Sequence, residues 1–356
     1  MNSAWHTRQK GYLLVTGAAC CWATSGVLTK QILLSYAPTP LALAFWRDFL
    51  SFVLMFLVLG LFRRDMLGVA RQDVLPLIGL GVISVGSFHV LWVFSVDLNG
   101  VAPAHVFNYT APAFVVLLSW LLWREPITLR KVGAVLLTFA GCILVARAYD
   151  LSQFRLNWVG ALVGLSTGIT WATYPIFGKI SLNRYSTWTV VTYAFGLAAL
   201  AILLPQPLRT LSFPWSQPIH VWFWLWLLAL MPTAGGFCLY SWGLNHLTAS
   251  AAMITAAVEP FIAALWAFII FGDVLSLAQI LGGALIVMGI AILTRKGGQN
   301  DKEKHCQDHA DARVGRKEHP LRAAPAIEQA IYSRRRGGRF GRAGGASSEG
   351  HDRPTL

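Results

Sequence analysis

One acidic side chain, Glu259, lies about halfway through a long apolar stretch and directly precedes the helix-breaking Pro260. An ionised carboxylate at the centre of a bilayer costs on the order of 3 kcal/mol, so Glu259 is expected to face protein or a water-filled path. A carboxyl in such a place could exchange protons or bind an amine. The alternative is a structural role, in which Glu259 accepts hydrogen bonds near the Pro260 kink and never changes protonation. The residue types leave both interpretations open.

A second charged pair, Arg47 and Asp48, follows the apolar run 41–46. Adjacent residues on a helix point about 100° apart, so the two side chains need not pair with each other. Arg47 could anchor the carboxylate of a substrate, or it could hold helix ends together through backbone carbonyls. We favour the structural role for Arg47 but keep it as a candidate for substrate selectivity.

Further polar side chains occur in the apolar stretches that contain His89 and His105. Either histidine could bind a substrate or carry protons near neutral pH, although hydrogen-bonded packing is the commoner role for a lone histidine in a membrane helix. Asn108 and Tyr109 form a polar patch shortly before Pro112. We expect this patch to face a central cavity.

The elements that must position these residues occur twice along the chain. Pro112 lies as many residues before Pro260 as Glu125 lies before Asp273. Gly141 precedes Gly289 by the same number of residues. Almost the same offset aligns two further sets of residues, namely Trp22, Ala23, Thr24 and Lys30 with Trp171, Ala172, Thr173 and Lys179. A duplicated membrane unit is typical of transporters, and interrupted helices at matching positions indicate a transport site.

The composition indicates a body embedded in a membrane. The chain is 55% hydrophobic and only 13% charged, whereas soluble domains carry about a quarter charged residues. Residues 1–295 contain only 16 Lys and Arg and 8 Asp and Glu. Since a helix needs roughly 20 apolar residues to cross a bilayer, the sequence predicts ten spans: 11–30, 39–62, 74–96, 102–123, 129–147, 158–180, 187–205, 221–243, 248–271 and 277–294.

The distribution of Lys and Arg predicts that both termini are cytoplasmic. With this orientation the basic residues near the ends of the early spans fall on the inner side, as the positive-inside rule requires. Five spans per repeat is an odd number, so the two halves must cross the membrane in opposite directions. The sequence therefore predicts an all-α integral membrane protein of a cytoplasmic (inner) membrane, built from two inverted five-helix repeats, 1–148 and 149–295. A basic, disordered tail is expected over 296–356.

The repeated tryptophans, Trp22 and Trp171, lie too deep for a membrane-interface belt and are expected to line or brace the core. Lys30 and Lys179 are expected to extend to opposite membrane faces. Pro112 and Pro260 are the main hinge candidates, because proline frees backbone carbonyls one turn earlier. Further possible hinges are Pro175, Pro232 and the pair Gly235-Gly236.

These features resemble the EamA-type drug/metabolite transporters. The residues that carry the resemblance are Trp22-Ala-Thr with Lys30, Pro112 followed by Arg124-Glu125, and Glu259-Pro260 followed by Gly272-Asp273. The resemblance covers residues 1–295 and implies a secondary carrier of small metabolites with a central cavity between its halves. The chain departs from the family pattern at Asp273, where Glu is usual, and in its long tail. Family membership does not name the substrate.

Several other classes of function are disfavoured by the sequence. It contains no His-Glu-x-x-His, aspartate-rich metal-binding or phosphate-binding loop motif, so neither an enzyme nor a primary pump is expected. The five cysteines form no disulfide or zinc pattern, and no cofactor or metal is expected. The Arg/Gly segment Ser333–Arg342 could bind RNA or anionic lipid, but we expect no specific nucleic-acid partner.

The expected partners are a small-molecule substrate, the lipid bilayer and, as an open question, protons. The sequence favours alternating-access transport of a small organic metabolite, amino-acid-like or otherwise, with proton-coupled export as one form of it. A receptor or a channel-like protein that binds a small molecule without coupled transport remains the alternative.

Overall fold

The computed structural model describes residues 2–149, 158–272 and 274–294, and within these ranges it contains helices and loops but no strand. Asp273 and the tail 296–356 lie outside the described residues. The described part belongs to one compact unit, residues 1–300. Its α-helices are α1 Asn2–Tyr36, α2 Pro40–Phe62, α3 Val74–Ile78, α4 Ser87–Asn99, α5 Val101–Asn108, α6 Ala111–Trp123, α7 Leu129–Val145, α8 Trp158–Leu182, α9 Thr187–Leu203, α10 His220–Leu228, α11 Gly236–Leu244, α12 Ala249–Ala256, α13 Glu259–Phe271 and α14 Leu277–Thr294.

Seven helical segments in the described residues are long and apolar enough to cross a membrane, so the protein is an all-helical integral membrane protein. The predicted spans 129–147, 158–180 and 187–205 correspond to α7, α8 and α9, which are not among the seven. Helices α7 and α9 have only 17 residues each. An eighth span results if α9 is joined to the 3-10 helix Leu208–Ser216 across a 111° bend. The ten-helix count therefore stays a prediction.

Two of the seven segments are interrupted at matching places. Helix α5 ends at Asn108 and α6 begins at Ala111, while α12 ends at Ala256 and α13 begins at Glu259. Each second helix carries proline in its first turn, Pro112 and Pro260. Proline is tolerated there because its missing N–H would have no partner within the helix. In both segments the preceding helix ends four residues before the proline.

Two other segments widen into π-helix. These are Gly79–Gly86, between α3 and α4, and Ala229–Gly235, between α10 and α11. A π-helical stretch leaves an irregular backbone that is often found at functional sites. Pro232 and Gly235, which the sequence indicated as possible hinges, lie within the second stretch.

Helices α7 and α14 pack together over most of their length through small residues. A Cβ atom placed on Gly141 would lie 2.5 Å from the Gly282 carbonyl oxygen, and one on Gly289 would lie 3.0 Å from the Ala134 carbonyl oxygen. Such close approach of backbones requires glycine on the facing surface. The other main pairs are α1 with α11, α2 with α9 and α4 with α8.

The largest cluster of buried side chains lies where α1, α8, α9 and α11 meet. Its aromatic members include Trp22, Tyr174, Phe195, Phe237 and Tyr240. Trp22 packs directly on Gly236, since a Cβ atom there would lie 2.6 Å from the Trp22 indole nitrogen. These contacts place the predicted core tryptophan at the centre of the helix bundle.

Candidate functional site

Arg47 and Asp48 of α2 join His89 of α4 in one buried group, here named the α2–α4 charge cluster. Arg47 Nε lies 3.3 Å from Asp48 Oδ1, and His89 Nδ1 lies 2.9 Å from Asp48 Oδ2. Arg47 Nη2 also contacts the His89 ring. Asp48 is completely buried, while the Arg47 side chain keeps 18% of its exposure. The two adjacent residues therefore do pair, although their helical spacing alone did not require it.

The geometry of this cluster fixes what each group donates and accepts. Since a carboxylate only accepts hydrogen bonds, His89 donates from Nδ1 to Asp48. A neutral imidazole then has Nε2 free to accept, and Arg47 Nη2 is the donor that it contacts. The cluster is thus a closed set of hydrogen bonds that links α2 to α4 and compensates the buried Asp48 charge.

Glu259 has very different surroundings. It is the first residue of α13 and half-buried, and it makes no hydrogen bond or ion pair with any described residue. Tyr109 and Cys142 are close enough for the Glu259 charge to act on them. The helix N-terminus partly stabilises a negative charge in its first turn. Glu259 is therefore a deep carboxyl with no partner from the part of the protein that the structure describes.

A line of ring contacts, here named the aromatic row, runs through the bundle. Each ring contacts the next, with centroids 4.8–6.2 Å apart. The row consists of Trp22 of α1, Trp171 of α8, Phe88 and Trp92 of α4, His105 of α5, and Tyr109 at the break that follows α5. It brings together Trp22, Trp171, His105 and Tyr109, four of the residues that the sequence indicated as cavity candidates.

The row ends beside the second helix break. Tyr109 packs against a buried cluster that includes Ala19, Cys142, Ala257 and Val258. Cys142 Sγ lies 3.7 Å from the carbonyl oxygen of Ala257. The two interrupted segments thus approach each other near Tyr109, and Glu259 begins the helix that follows Val258.

Asn108, the last residue of α5, contributes a polar atom to the same region. Its buried Oδ1 has no hydrogen-bond partner among the described residues. A buried polar atom without a partner is costly and calls for an explanation. Trp22 Nε1 is buried and without a partner in the same sense, but its packing on Gly236 leaves no room for a ligand there.

The structure contains a second buried ion pair, which the sequence did not predict because Glu125 stood out there only as a repeated residue. Lys131 Nζ lies 2.7 Å from Glu125 Oε1, and Ser250 Oγ of α12 donates to Glu125 Oε2 over 3.2 Å. The pair ties the loop after α6 to the start of α12. The spacing of Glu125 and Lys131 around Thr128, which caps α7, is the only sequence signal that pointed to it.

The loops near α8 and α9 carry another polar network. Asp73 forms an ion pair with Arg184 and accepts a hydrogen bond from the Tyr185 hydroxyl over 2.5 Å. Burial and then this hydrogen bond raise the pKa of Tyr185 above its ordinary value. In the loop between α11 and α12, burial lowers the pKa of His246, and nearby Lys10 and Lys179 lower it further.

A pocket of about 390 Å³ opens between the ends of α7, α13 and α14. Arg147 and Gln279 supply its polar side chains, and Arg147 Nη2 donates to Gln279 Oε1 over 3.2 Å. Ala264 and Ala267 of α13 line its apolar side. The described residues contain no group of three or more His, Cys, Asp or Glu side chains that could hold a metal ion.

Together, the apolar helices, the interrupted segments and the deep polar groups define a membrane transport protein rather than a soluble one. The EamA-like transporter family matches residues 9–147 and again residues 158–295. The chain belongs to this family of membrane transporters.

Similar proteins carry compatible names. An uncharacterized transporter of Archaeoglobus fulgidus is 30% identical over 72% of this chain and 87% of its own length. The pseudopaline exporter of Pseudomonas aeruginosa is 24% identical over 81% of this chain and 96% of its own length. A probable terminal-alkyne amino-acid exporter of Streptantibioticus cattleyicolor is 24% identical over 65% and 77%, respectively.

The fold itself has a counterpart among solved structures. A protein crystal structure superposes with a TM-score of 0.67 and covers 82% of this chain and all of its own chain. Its sequence identity of 20% supports a shared fold and nothing further.

Proposed function

We propose that the protein is a secondary carrier that moves a small organic metabolite across a cytoplasmic membrane by alternating access. Its ten spans would form two inverted repeats, 1–148 and 149–295, with both termini cytoplasmic. The observation that carries this proposal is Glu259, a carboxyl beside a helix break with no hydrogen-bond or ion-pair partner among the described residues. An unpaired acid at such a depth is the group that a proton or a positively charged substrate would neutralise.

The matched irregularities of the two halves support an inverted repeat. The breaks after Asn108 and Ala256 occur at equivalent positions, and the two π-helical stretches nearly do so. The contacts between α7 and α14 are reciprocal, because Gly141 approaches Gly282 while their counterparts Gly289 and Ala134 approach each other. Reciprocal contacts of this kind are expected of elements related by a two-fold axis.

Contacts between loops support the proposed topology. On the side proposed as cytoplasmic, Asp73 pairs with Arg184, and Glu125 bonds to Ser250. On the opposite side, the Trp46 indole donates to the carbonyl oxygen of Leu211, and the Asn99 amide donates to that of Gly160. Each contact joins two segments that the ten-span topology places on one face of the membrane.

Flux in proteoliposomes tests the carrier proposal. Vesicles with the purified full chain are loaded with a pooled metabolite mixture and followed by mass spectrometry, with and without a pH gradient. We expect selective, saturable depletion of one class of compound. A rate that rises without saturation would point to a channel, and no depletion beyond protein-free vesicles would oppose the carrier function.

The same assay tests the role of Glu259. Glu259→Gln is isosteric but cannot ionise, so any dependence of flux on the pH gradient is expected to disappear. Glu259→Asp keeps the acid and should retain a gradient response at a reduced rate. Unchanged pH dependence in Glu259→Gln would return Glu259 to a structural role.

A further inference from the structure

Two acidic side chains lie deep within the described spans, and only one of them is neutralised by the protein. Asp48 is fully buried and bonded to Arg47 and His89. Glu259 is half-buried and has no such partner in the described residues. Because a lone charge in an apolar layer is unfavourable, the Glu259 carboxylate suits a positive charge that comes from outside the chain.

An anionic ligand would meet the opposite situation. Arg47, the deep cation of the early spans, is held by Asp48 and by the His89 ring. A substrate carboxylate would have to compete with the adjacent Asp48 carboxylate for the guanidinium. The α2–α4 charge cluster therefore gives Arg47 a structural role that needs no substrate, and the anion anchor stays a prediction.

Aromatic faces and a spare acceptor lie next to Glu259. The aromatic row ends with Trp92, His105 and Tyr109, whose rings contact one another, and Tyr109 lies within the electrostatic reach of Glu259. Aromatic faces attract ammonium groups, most strongly when the site is desolvated. Asn108 Oδ1, buried without a described partner, could accept an N–H hydrogen bond.

Among the described residues, the groups that lie near Glu259 add no charge of their own. The titratable side chains close to it are Tyr109 and, from α7, Cys142, and ordinary tyrosine and cysteine side chains are neutral at pH 7. The neighbouring helices α1 and α14 present the apolar Ala19, Ile286 and Ile290 to this region. The field at the site is therefore set by the Glu259 carboxylate.

We infer that Glu259, Asn108 and the Trp92–His105–Tyr109 end of the aromatic row bind the ammonium group of an organic amine. The substrate of the proposed carrier is then a cation or a zwitterion with an accessible amine. This inference rests on the proposed function for transport, but the binding site can be tested without it. The name of one relative, a probable terminal-alkyne amino-acid exporter, fits a substrate of this kind.

Three probes of one shape and different charge test the inference. Phenethylammonium, phenylacetate and 2-phenylethanol are titrated into the purified full chain in detergent, and thermal unfolding is measured. A ligand that binds the folded state raises the unfolding temperature in a saturable way. We expect this for phenethylammonium alone. No stabilisation by phenethylammonium, or equal stabilisation by all three probes, would overturn the inference.

Variants test whether the stabilisation by phenethylammonium comes from binding at Glu259. Glu259→Gln should weaken phenethylammonium binding at least tenfold, while Glu259→Asp, which keeps the charge, should retain most of it. Asp97→Asn is the matched control, because Asp97 is an exposed acid near the end of α4. An equal loss of phenethylammonium binding in Asp97→Asn and in Glu259→Gln would also contradict the assignment. If Glu259→Gln does not fold, Glu259→Asp provides the test.

The outcomes for binding and for transport are separable. If the pooled flux assay finds substrates that carry no amine, the inference fails and the carrier function stands. If phenethylammonium binds through Glu259 but no compound is transported, the site stands and the carrier function fails.

Discussion

Asp48 and Glu259 are the same kind of group in similar apolar helices, yet their neighbours give them different roles. Asp48 accepts hydrogen bonds from Arg47 and His89 and is closed off from solvent. Glu259 has no described partner and begins a helix that follows a break. A paired buried charge supports the fold, whereas an unpaired one is available to a proton or a ligand. The difference lies in the partner residues and not in the acid.

Loss of the Asp48 charge should destabilise the protein. Asp48→Asn removes the negative charge beside Arg47 and replaces one of the two accepting oxygens with an amide donor, and breaking a buried pair in this way costs about 3 kcal/mol. Thermal unfolding in detergent is the measurement, and a drop of several degrees is expected. Asp97→Asn, at an exposed acid, should change little.

The pairing itself can be separated from general damage by a double variant. If Arg47 is held chiefly by Asp48, then Arg47→Gln should cost less in an Asp48→Asn background than in the parent chain. Additive losses would show that the two side chains act independently and would favour Arg47 as a free anion anchor.

At the scale of helices, small residues decide which surfaces meet. Helices α7 and α14 approach closely at Gly141 and Gly282, so that neither position has room for a Cβ atom. Gly133, on the same helix α7, has nothing within 4 Å of the corresponding position. One helix therefore provides both a test position and its control.

Gly141→Ala should push α7 and α14 apart, because the added methyl carbon would lie 2.5 Å from a backbone oxygen that cannot turn away. Overpacking of this kind costs about 1–3 kcal/mol. Gly133→Ala should be neutral, or stabilising by up to about 1 kcal/mol through helix propensity. Thermal unfolding of both variants provides the comparison, and equal stability would mean that the two helices do not pack as described.

At the scale of the whole molecule, the contacts between loops define two groups that the proposed topology assigns to opposite sides of the membrane. Asp65, in the loop after α2, belongs to the proposed cytoplasmic group. Ser212, in the segment before α10, belongs to the other. Both are exposed, which makes them suitable for chemical labelling.

Labelling with a membrane-impermeant maleimide on intact cells should therefore modify Ser212→Cys and not Asp65→Cys. The five native cysteines are replaced first, and permeabilised cells show that both positions can react. The reverse pattern would invert the orientation. Labelling of both positions in intact cells would contradict the proposal that they lie on opposite sides.

The sequence by itself determined the apolar helical class, the repeated spacing and the family, because segment hydropathy and ordered motifs persist along the chain regardless of how it packs. It also located the breaks near Pro112 and Pro260, since proline acts on its own backbone. Only the tertiary structure decided which polar residues are satisfied. Asp48 of α2 and His89 of α4 are 41 residues apart, and no spacing could show that they close on each other and on Arg47 while Glu259 stays without a described partner.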